Sequence, residues 1–414
     1  MSEPTLGASA PLPDSASVLP GAVPLAPESQ PAPVADLLER VRDAARRGAV
    51  LRLRGGSSKD HLGDTRQGEP LDTRGWQGIS RYEPSELFVT ARAGTPLVEL
   101  EAALAARGQY LPFDPPRLAL EAPEQASAAT VGGMVAAGLS GPGRVSRGAV
   151  RDHVLGCTLL NGRAEVLQLG GSVMKNVAGF DLSRLMAGSW GTLGCLLDVT
   201  LKVMPQPVVS ATMRFELGEA EALAQVNRWA GQALPLDASA WWDGLLVLRL
   251  RGARAAVASA VQGLYRERKG ELLAPPVAEQ FWQGLRDQRD EFFVRARQAV
   301  AQAGAQGVSL WRLSVPATTA PLALPGEQLS EWFGAQRWLC TPLPAAAVHE
   351  AAARAGGHAQ VVCSATVQPL VNEALASPVM RRLHHQVQRA FDPQGVFDTG
   401  RLWPRGTPPT DPQP

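Results

Sequence analysis

The chain has 414 residues, enough for two or three domains, and an apolar content of 45% that can fill real cores. A formal net charge of +1 excludes nucleic acid or an anionic membrane surface as the main partner, because both need a basic excess. No apolar run reaches bilayer-spanning length, so any membrane association is expected to be peripheral and through partners. The four cysteines, Cys157, Cys195, Cys340 and Cys363, are widely spaced with no C-x-x-C pair. That argues against a zinc site or an iron–sulfur cluster of the chain's own and reads as buried thiols of a cytoplasmic protein; no metal is expected.

Residues 1–33 are rich in Pro, Ala and Ser, contain no Lys or Arg, and lack the basic and apolar regions of a secretory signal. They read as a disordered extension. Leu37, Leu38, Val41, Ala44 and Ala45 then share one helix face that Gly48 ends. Leu51-Arg52-Leu53-Arg54 alternates as a short strand and runs into Gly55-Gly56-Ser57-Ser58-Lys59. Two glycines, two hydroxyls and an ammonium form a donor set matched to phosphate oxygens. Thr95-Pro96 is expected to start a helix, with the threonine as cap and Leu97, Leu100 and Leu104 as its buried stripe. Leu111 to Pro116 is a Pro-rich crossing.

The second glycine-rich block is ATVGGMVAAGLSGPGRVSRGAVRD, from Ala129 to Asp152. Its density of glycine lets backbone N–H groups converge on a pyrophosphate, with a helix N-terminus near Val131 facing that anion. His153–Leu160 and Ala164–Leu169 flank Asn161-Gly162, a hairpin signal. Lys175–Asp181 and Gly188–Gly194 form a third glycine-rich stretch before a strand from Cys195 to Val203. Pro205-Gln206-Pro207 marks a domain boundary. Beyond it, strands near Met213, Leu245–Leu250, Ser309–Val315 and Gln336–Leu339 alternate with helices such as Ala253–Arg268. Ser377-Pro378 caps a last helix with Val379, Met380, Leu383, Val387, Ala390 and Phe391 on one side.

RGGSSK, the ATVGG…SRGAVRDHVLG block and KNVAGFDLSRLMAGSWGTLG together resemble the FAD-binding domain of the p-cresol methylhydroxylase and vanillyl-alcohol oxidase type. Within that family the likeness is to the FAD-binding E subunits of bacterial glycolate oxidases, over roughly residues 33 to 401. The resemblance implies an α+β fold. Its parts are a two-part FAD-binding domain at 34–205 and an α+β second domain with a mainly antiparallel sheet at 208–376. A helix and tail at 377–401 return to the flavin domain, and 402–414 form a disordered tail. It also implies flavin contacts from Gly55, Gly56, Ser57, Ser58, Lys59, Thr130, Gly132, Gly133, Arg147, Gly148, Asp152, Gly191 and Thr192. The family's tail ends in an Asn-Pro-Gly-Lys/Arg turn against the flavin; Asp398-Thr399 replace Asn-Pro here, which puts contact by Asp398 in doubt.

Relatives that bond flavin covalently carry a histidine inside the first loop, where this chain has Ser57-Ser58; His61 lies outside it, so non-covalent FAD is expected. The histidine-rich metal motif of related 2-hydroxy-acid dehydrogenases is not matched. Only His349, His358, His384 and His385 lie in the C-terminal half, and adjacent helical residues diverge by about 100°. Arg144, Arg147 and Lys175 could pair with a substrate carboxylate or with flavin phosphate, a structural ion pair being the default for each. Asp152-His153 resembles an oriented base, but neighbours in a strand face opposite sides, and no general base is named. The tryptophans of the second half read as packing residues and as the docking surface for partners.

These observations lead to a FAD-binding subunit of a glycolate (2-hydroxy acid) oxidase complex, working with a substrate-oxidising FAD subunit and an iron–sulfur subunit. Two rivals are a self-sufficient FAD-dependent dehydrogenase of another 2-hydroxy acid and an assembly subunit with a vestigial flavin site. Fold alone does not decide among them.

Overall fold

The computed structural model describes residues 22–25, 30–63, 67–118, 128–171, 181–303, 307–365 and 378–402. Lys175, the stretch up to Phe180, Ser377 and most of the terminal extension and tail lie outside them. The first part of the chain runs β1 (Ala22–Leu25), α1 (Ala32–Arg47), β2 (Leu51–Arg54), β3 (Glu69–Asp72), β4 (Ile79–Glu83), β5 (Phe88–Arg92), α2 (Leu97–Ala105), β6 (Gln109–Tyr110), α3 (Val131–Ala137), α4 (Arg144–Arg147), α5 (Val150–His153), β7 (Val154–Leu160), β8 (Val166–Gly170), α6 (Leu182–Leu185), β9 (Cys195–Lys202) and β10 (Met204–Pro205). A six-stranded antiparallel sheet in the order β1-β8-β7-β9-β5-β4 forms its frame. Beside it, β2 and β3 pair in parallel.

Helices α2 and α3 pack on this sheet through Leu97, Leu100, Leu104, Val131, Met134 and Val135, all buried. Helix α1 buries Val34, Leu37, Leu38, Val41 and Ala44 in a separate cluster with Leu51, Leu71 and Phe397, and Gly48 ends it in the left-handed region (φ 64). Leu51 N donates to Val396 O at 2.7 Å, so the end of the chain closes onto the strand that leads to the first loop.

Several local expectations need correction. Ala22–Leu25, expected to lack order, pairs with Leu169–Val166, because Ala22 finds an apolar seat against the core. Thr95 does not cap α2. It is fully buried, and its hydroxyl accepts from Gly78 N (2.9 Å) and donates to Gly78 O (3.1 Å), leaving Pro96 at the cap position. The β7–β8 hairpin turns not on a two-residue Asn-Gly but over residues 161–165, where Asn161 Oδ1 accepts from Arg163 N and Glu165 N and Ala164 takes the positive φ of 56°. Gly162 is needed for a different reason: a Cβ there would lie 2.0 Å from Asp392 of the returning tail.

The second part runs β11 (Val209–Glu216), α7 (Glu219–Ala230), β12 (Leu236–Trp242), β13 (Leu245–Gly252), α8 (Arg254–Glu267), β14 (Glu271–Leu272), α9 (Pro275–Arg286), α10 (Glu291–Ala303), β15 (Ser309–Ser314), β16 (Glu327–Glu331), β17 (Gln336–Thr341), α11 (Ala345–Arg354), β18 (His358–Ser364) and α12 (Pro378–Phe391). Its eight-stranded antiparallel sheet has the order β14-β11-β13-β12-β16-β17-β15-β18. Alternation along the strands sends Phe215, Leu248 and Leu313 toward α7, α8 and α11, and Val247, Leu310 and Trp338 toward α9 and α10. Trp229, Trp282, Trp311, Trp332 and Trp338 are buried in these layers, so they are core residues and not the docking surface expected of them.

A buried ionic network joins the two parts. Asp237 on β12 accepts from Arg147 Nε (2.9 Å) on one oxygen and from Arg249 on the other, and Arg249 reaches on to Asp114 of the Pro-rich crossing. Burial opposes the Asp114 charge, but Arg249 and Arg251 outweigh it and hold its carboxyl below the usual range. Beside this network, Trp332 Nε1 donates to Gly141 O (3.1 Å), and the Arg144 guanidinium lies over the Trp332 ring at 4.4 Å.

Candidate active site

The first glycine loop and the second are separate in sequence and touch in space. Gly56 lies so close to the Ala128–Ala129 backbone that a Cβ would fall 1.4 Å from Ala128 O, and a Cβ on Gly55 would fall 2.4 Å from Thr130 Oγ1. Between them opens a cleft. Gly55, Gly56, Ser57, Ser58, Lys59, Thr130, Gly132, Gly133 and Gly191 line it. Among the described residues, no protein acceptor takes the backbone N–H groups of Gly55, Gly56, Ser57, Ser58 or Lys59. Ser57 is in the left-handed region (φ 59), which breaks the extended path of β2 and turns successive amides toward a common point, the geometry of an anion nest.

The side chains reinforce this charge preference. Arg54 donates to Ser57 Oγ from Nε (3.1 Å) and Nη2 (2.7 Å) and to Asp60 Oδ2 (3.2 Å), which leaves the Ser57 hydroxyl hydrogen to point elsewhere. Lys59 is buried, and burial, with the neighbouring Arg401, pushes its ammonium down to about 8. Arg401 donates to Leu62 O (3.0 Å) and Lys59 O and lies over Trp190 at 4.5 Å. It was not among the expected flavin contacts. The basic residue closing the family's tail turn was the signal for it, and the structure seats that residue in the cleft while Asp398 lies outside the lining. Leu53, Thr73, Ala93, Ala136, Ala137 and Gly194 complete walls that sequence reasoning did not single out.

Helix α3 does not present its amides to the cleft as expected. Val131 N donates to Thr95 O (2.9 Å), Gly132 N to Ala93 O (2.8 Å), and Gly133 N to the capping hydroxyl of Thr130 (3.2 Å). Gly132 is glycine because it packs on Ala93, whose Cβ would be 2.6 Å from a new methyl group. Arg147, Gly148, Asp152 and Thr192 do not line the cleft. Arg147 belongs to the interdomain network, Gly148 takes a positive φ of 89°, Asp152 Oδ2 accepts from Ala149 N (2.9 Å), and Thr192 Oγ1 closes a turn on Ser189 O (2.7 Å). Asp152 and His153 sit on α5, not on a strand, and His153 Nε2 contacts Arg147 O (2.8 Å), so they make no oriented base. His61 is also outside the lining.

Residues 29–170 match the FAD binding domain family. The chain is 41% identical over 369 residues to the glycolate oxidase subunit GlcE of Escherichia coli, covering 89% of this chain and 96% of that protein. It belongs to the glycolate oxidase E-subunit family. The family is one of FAD-dependent oxidoreductases, and the likeness extends to the glycolate oxidase subunit GlcD of Bacillus subtilis, at 28% identity over 147 residues, 36% of this chain and 30% of that one. A solved alkyldihydroxyacetonephosphate synthase shares the fold across 87% of this chain and 73% of its own, with a TM-score of 0.56 and 15% identity. Against this E-subunit background the cleft fits the cofactor. Its donor-rich floor suits the pyrophosphate of FAD, and the Ala136, Ala137, Leu53 and Trp190 walls suit a flat ring system. No helix among the described residues is long and apolar enough to cross a membrane.

Proposed function

We propose that this chain is the FAD-binding subunit of a glycolate (2-hydroxy acid) oxidase complex. In this reading FAD is held non-covalently, and electrons pass through it to an iron–sulfur partner. Bound FAD would supply an acceptor for a hydride that can release electrons singly. The chain's own contribution is to hold and orient the cofactor. Amides 55–59, Ser57 and Ser58 bind its phosphates, Lys59 and Arg401 balance their charge, and the packed glycines keep side chains out of the binding space.

The observation that carries the reading is the run of amides that, among the described residues, have no protein acceptor, beside two buried cations, a donor set that a vestigial site would have no reason to retain. The position of His61 outside the cleft lining supports non-covalent attachment. Four unbridged cysteines are in keeping with a cytoplasmic setting, and their scatter with iron–sulfur centres residing on a partner. The test is the visible spectrum of the purified chain followed by acid precipitation. A flavin spectrum whose yellow colour moves to the supernatant is expected. A colourless chain would remove the reading, and colour retained in the washed pellet would remove the non-covalent part of it.

A further inference from the structure

Beyond the cleft, a second, smaller recess opens where the two sheets' domains meet. Ala137 lines the cleft and Leu139 lines this recess, on either side of the turn at Gly138. One wall is Leu139–Pro142. The other is the polar end of the second sheet, where Arg312 on β15 pairs with Trp338 on β17, and Gln336 on β17 pairs with Glu331 on β16. Side chains directly opposite, and those two apart on one strand, share a face, so β17 holds Arg312 and Glu331 on either side of the same recess.

Its charges feel one another, but Arg312 and Glu331 make no direct ion pair. Arg312 donates to the neutral Gln360 (2.7 Å), and among the described residues no carboxylate forms an ion pair with it. Arg286, also in the lining, is already paired with Asp287 (2.7 Å), and Arg144 nearby lies over Trp332. Glu331 is buried and takes Trp338 Nε1 (2.6 Å) and Gln336 Nε2 (2.9 Å) on the same oxygen, Oε2. A guanidinium that feels the Glu331 carboxyl across a strand without a direct ion pair, facing a carboxyl whose donors crowd one oxygen, is an arrangement that a bridging ligand completes.

The geometry points to a binding site for a small 2-hydroxy-carboxylate in this cavity, its carboxylate on Arg312 and its hydroxyl on Glu331. The inference rests on the 2-hydroxy acid reading above, and deepens it by giving this chain its own acid-binding pocket. Burial is consistent with a site awaiting a ligand, since it pushes the Glu331 carboxyl up to about 7 and Arg312 down to about 10.

Titration calorimetry of the full chain without partner subunits, both FAD-loaded and FAD-free, would use glycolate and acetate as probes. Saturable glycolate binding is expected. Arg312→Gln should weaken both probes on the order of tenfold or more, as loss of a charge-assisted bond does. Glu331→Gln should weaken glycolate more than acetate. Absence of saturable binding, or Arg312→Gln binding like the wild type, would overturn the site. Should Arg312→Gln fail to fold, Arg312→Lys and Glu331→Gln carry the test, and wild-type affinity for both probes in both variants overturns it. Flavin content is measured on the same samples. Arg312-dependent binding in a chain that holds no flavin would sink the proposed function and keep the pocket; flavin without such binding would do the reverse.

Discussion

A methyl group at Gly56 would lie 1.4 Å from the carbonyl oxygen of Ala128, and neither is a flexible side chain that can swing aside. Gly56→Ala must therefore separate the two loops whose contact forms the cleft. A cost toward the upper end of overpacking, about 1–3 kcal/mol, and a clear loss of bound flavin are expected. A wild-type flavin-to-protein ratio would argue against this role for the loop contact. Lys59 makes a prediction about pH. Its folded value of about 8 lies below the 10.5 of an exposed lysine, because burial, then Arg401, disfavour its charge. Between pH 8 and 10.5 the unfolded chain binds more protons than the folded one, so stability of the FAD-free chain rises with pH through that window. Phosphate beside Lys59 restores its proton, so FAD binding takes up a proton above pH 8 and affinity falls as pH rises further. Titrating flavin fluorescence across this range checks it. An affinity that stays flat above pH 8, or one that falls equally in Lys59→Met, would remove Lys59 from the phosphate site.

The elements that the sequence made legible are those with a clean period or a strong stop. Helix α1 shows its stripe and Gly48, β7 and β8 flank the Asn161-Gly162 turn, and β13 opens on the apolar run Leu245–Leu248. The strands β12 and β16 escaped because they carry polar residues where a strand core is expected. Asp237, Ser239 and Glu331 are all buried, and their partners come from other elements, so Leu236–Trp242 and Glu327–Glu331 read locally as polar connections. Asp237 shows the energetic consequence. It is fully buried among Arg147, Arg249 and Arg251, and among the described residues removing it leaves Arg249, itself 3% exposed, with Asp114 as its remaining carboxylate and Arg147 without a paired carboxylate. Breaking a buried pair in this way costs roughly 3–5 kcal/mol. Asp237→Ala should therefore lower the melting temperature strongly and uncouple the two domains, seen as two calorimetric transitions in place of one. A single transition at the wild-type temperature would show that the network is not what joins them.

At the scale of the molecule, the loops of the flavin cleft could be read from the sequence because glycine and hydroxyl residues cluster along the chain at 55–59 and 129–133. Arg401 enters the same cleft from the far end of the chain, signalled only by the family's tail turn, whereas Arg312 and Glu331 meet only through β15–β17–β16 pairing, which no local pattern announces. In the proposed reading the chain holds a cofactor and a small acid and works together with partner subunits. Among the described residues no group of three His, Cys, Asp or Glu is placed to hold a metal, and the buried thiols of Cys157 and Cys195 are pushed up to about 12, which leaves them poor electron-carrier ligands. In that reading, electrons delivered to the flavin leave through an iron–sulfur partner. The purified chain mixed anaerobically with glycolate and an artificial dye should give at most a single turnover. Steady dye reduction should appear only when a substrate-oxidising flavoprotein subunit and an iron–sulfur subunit are added. Sustained reduction by the chain alone would instead establish it as a self-sufficient dehydrogenase, and in that case the Arg312 cavity would become the place to look for its substrate.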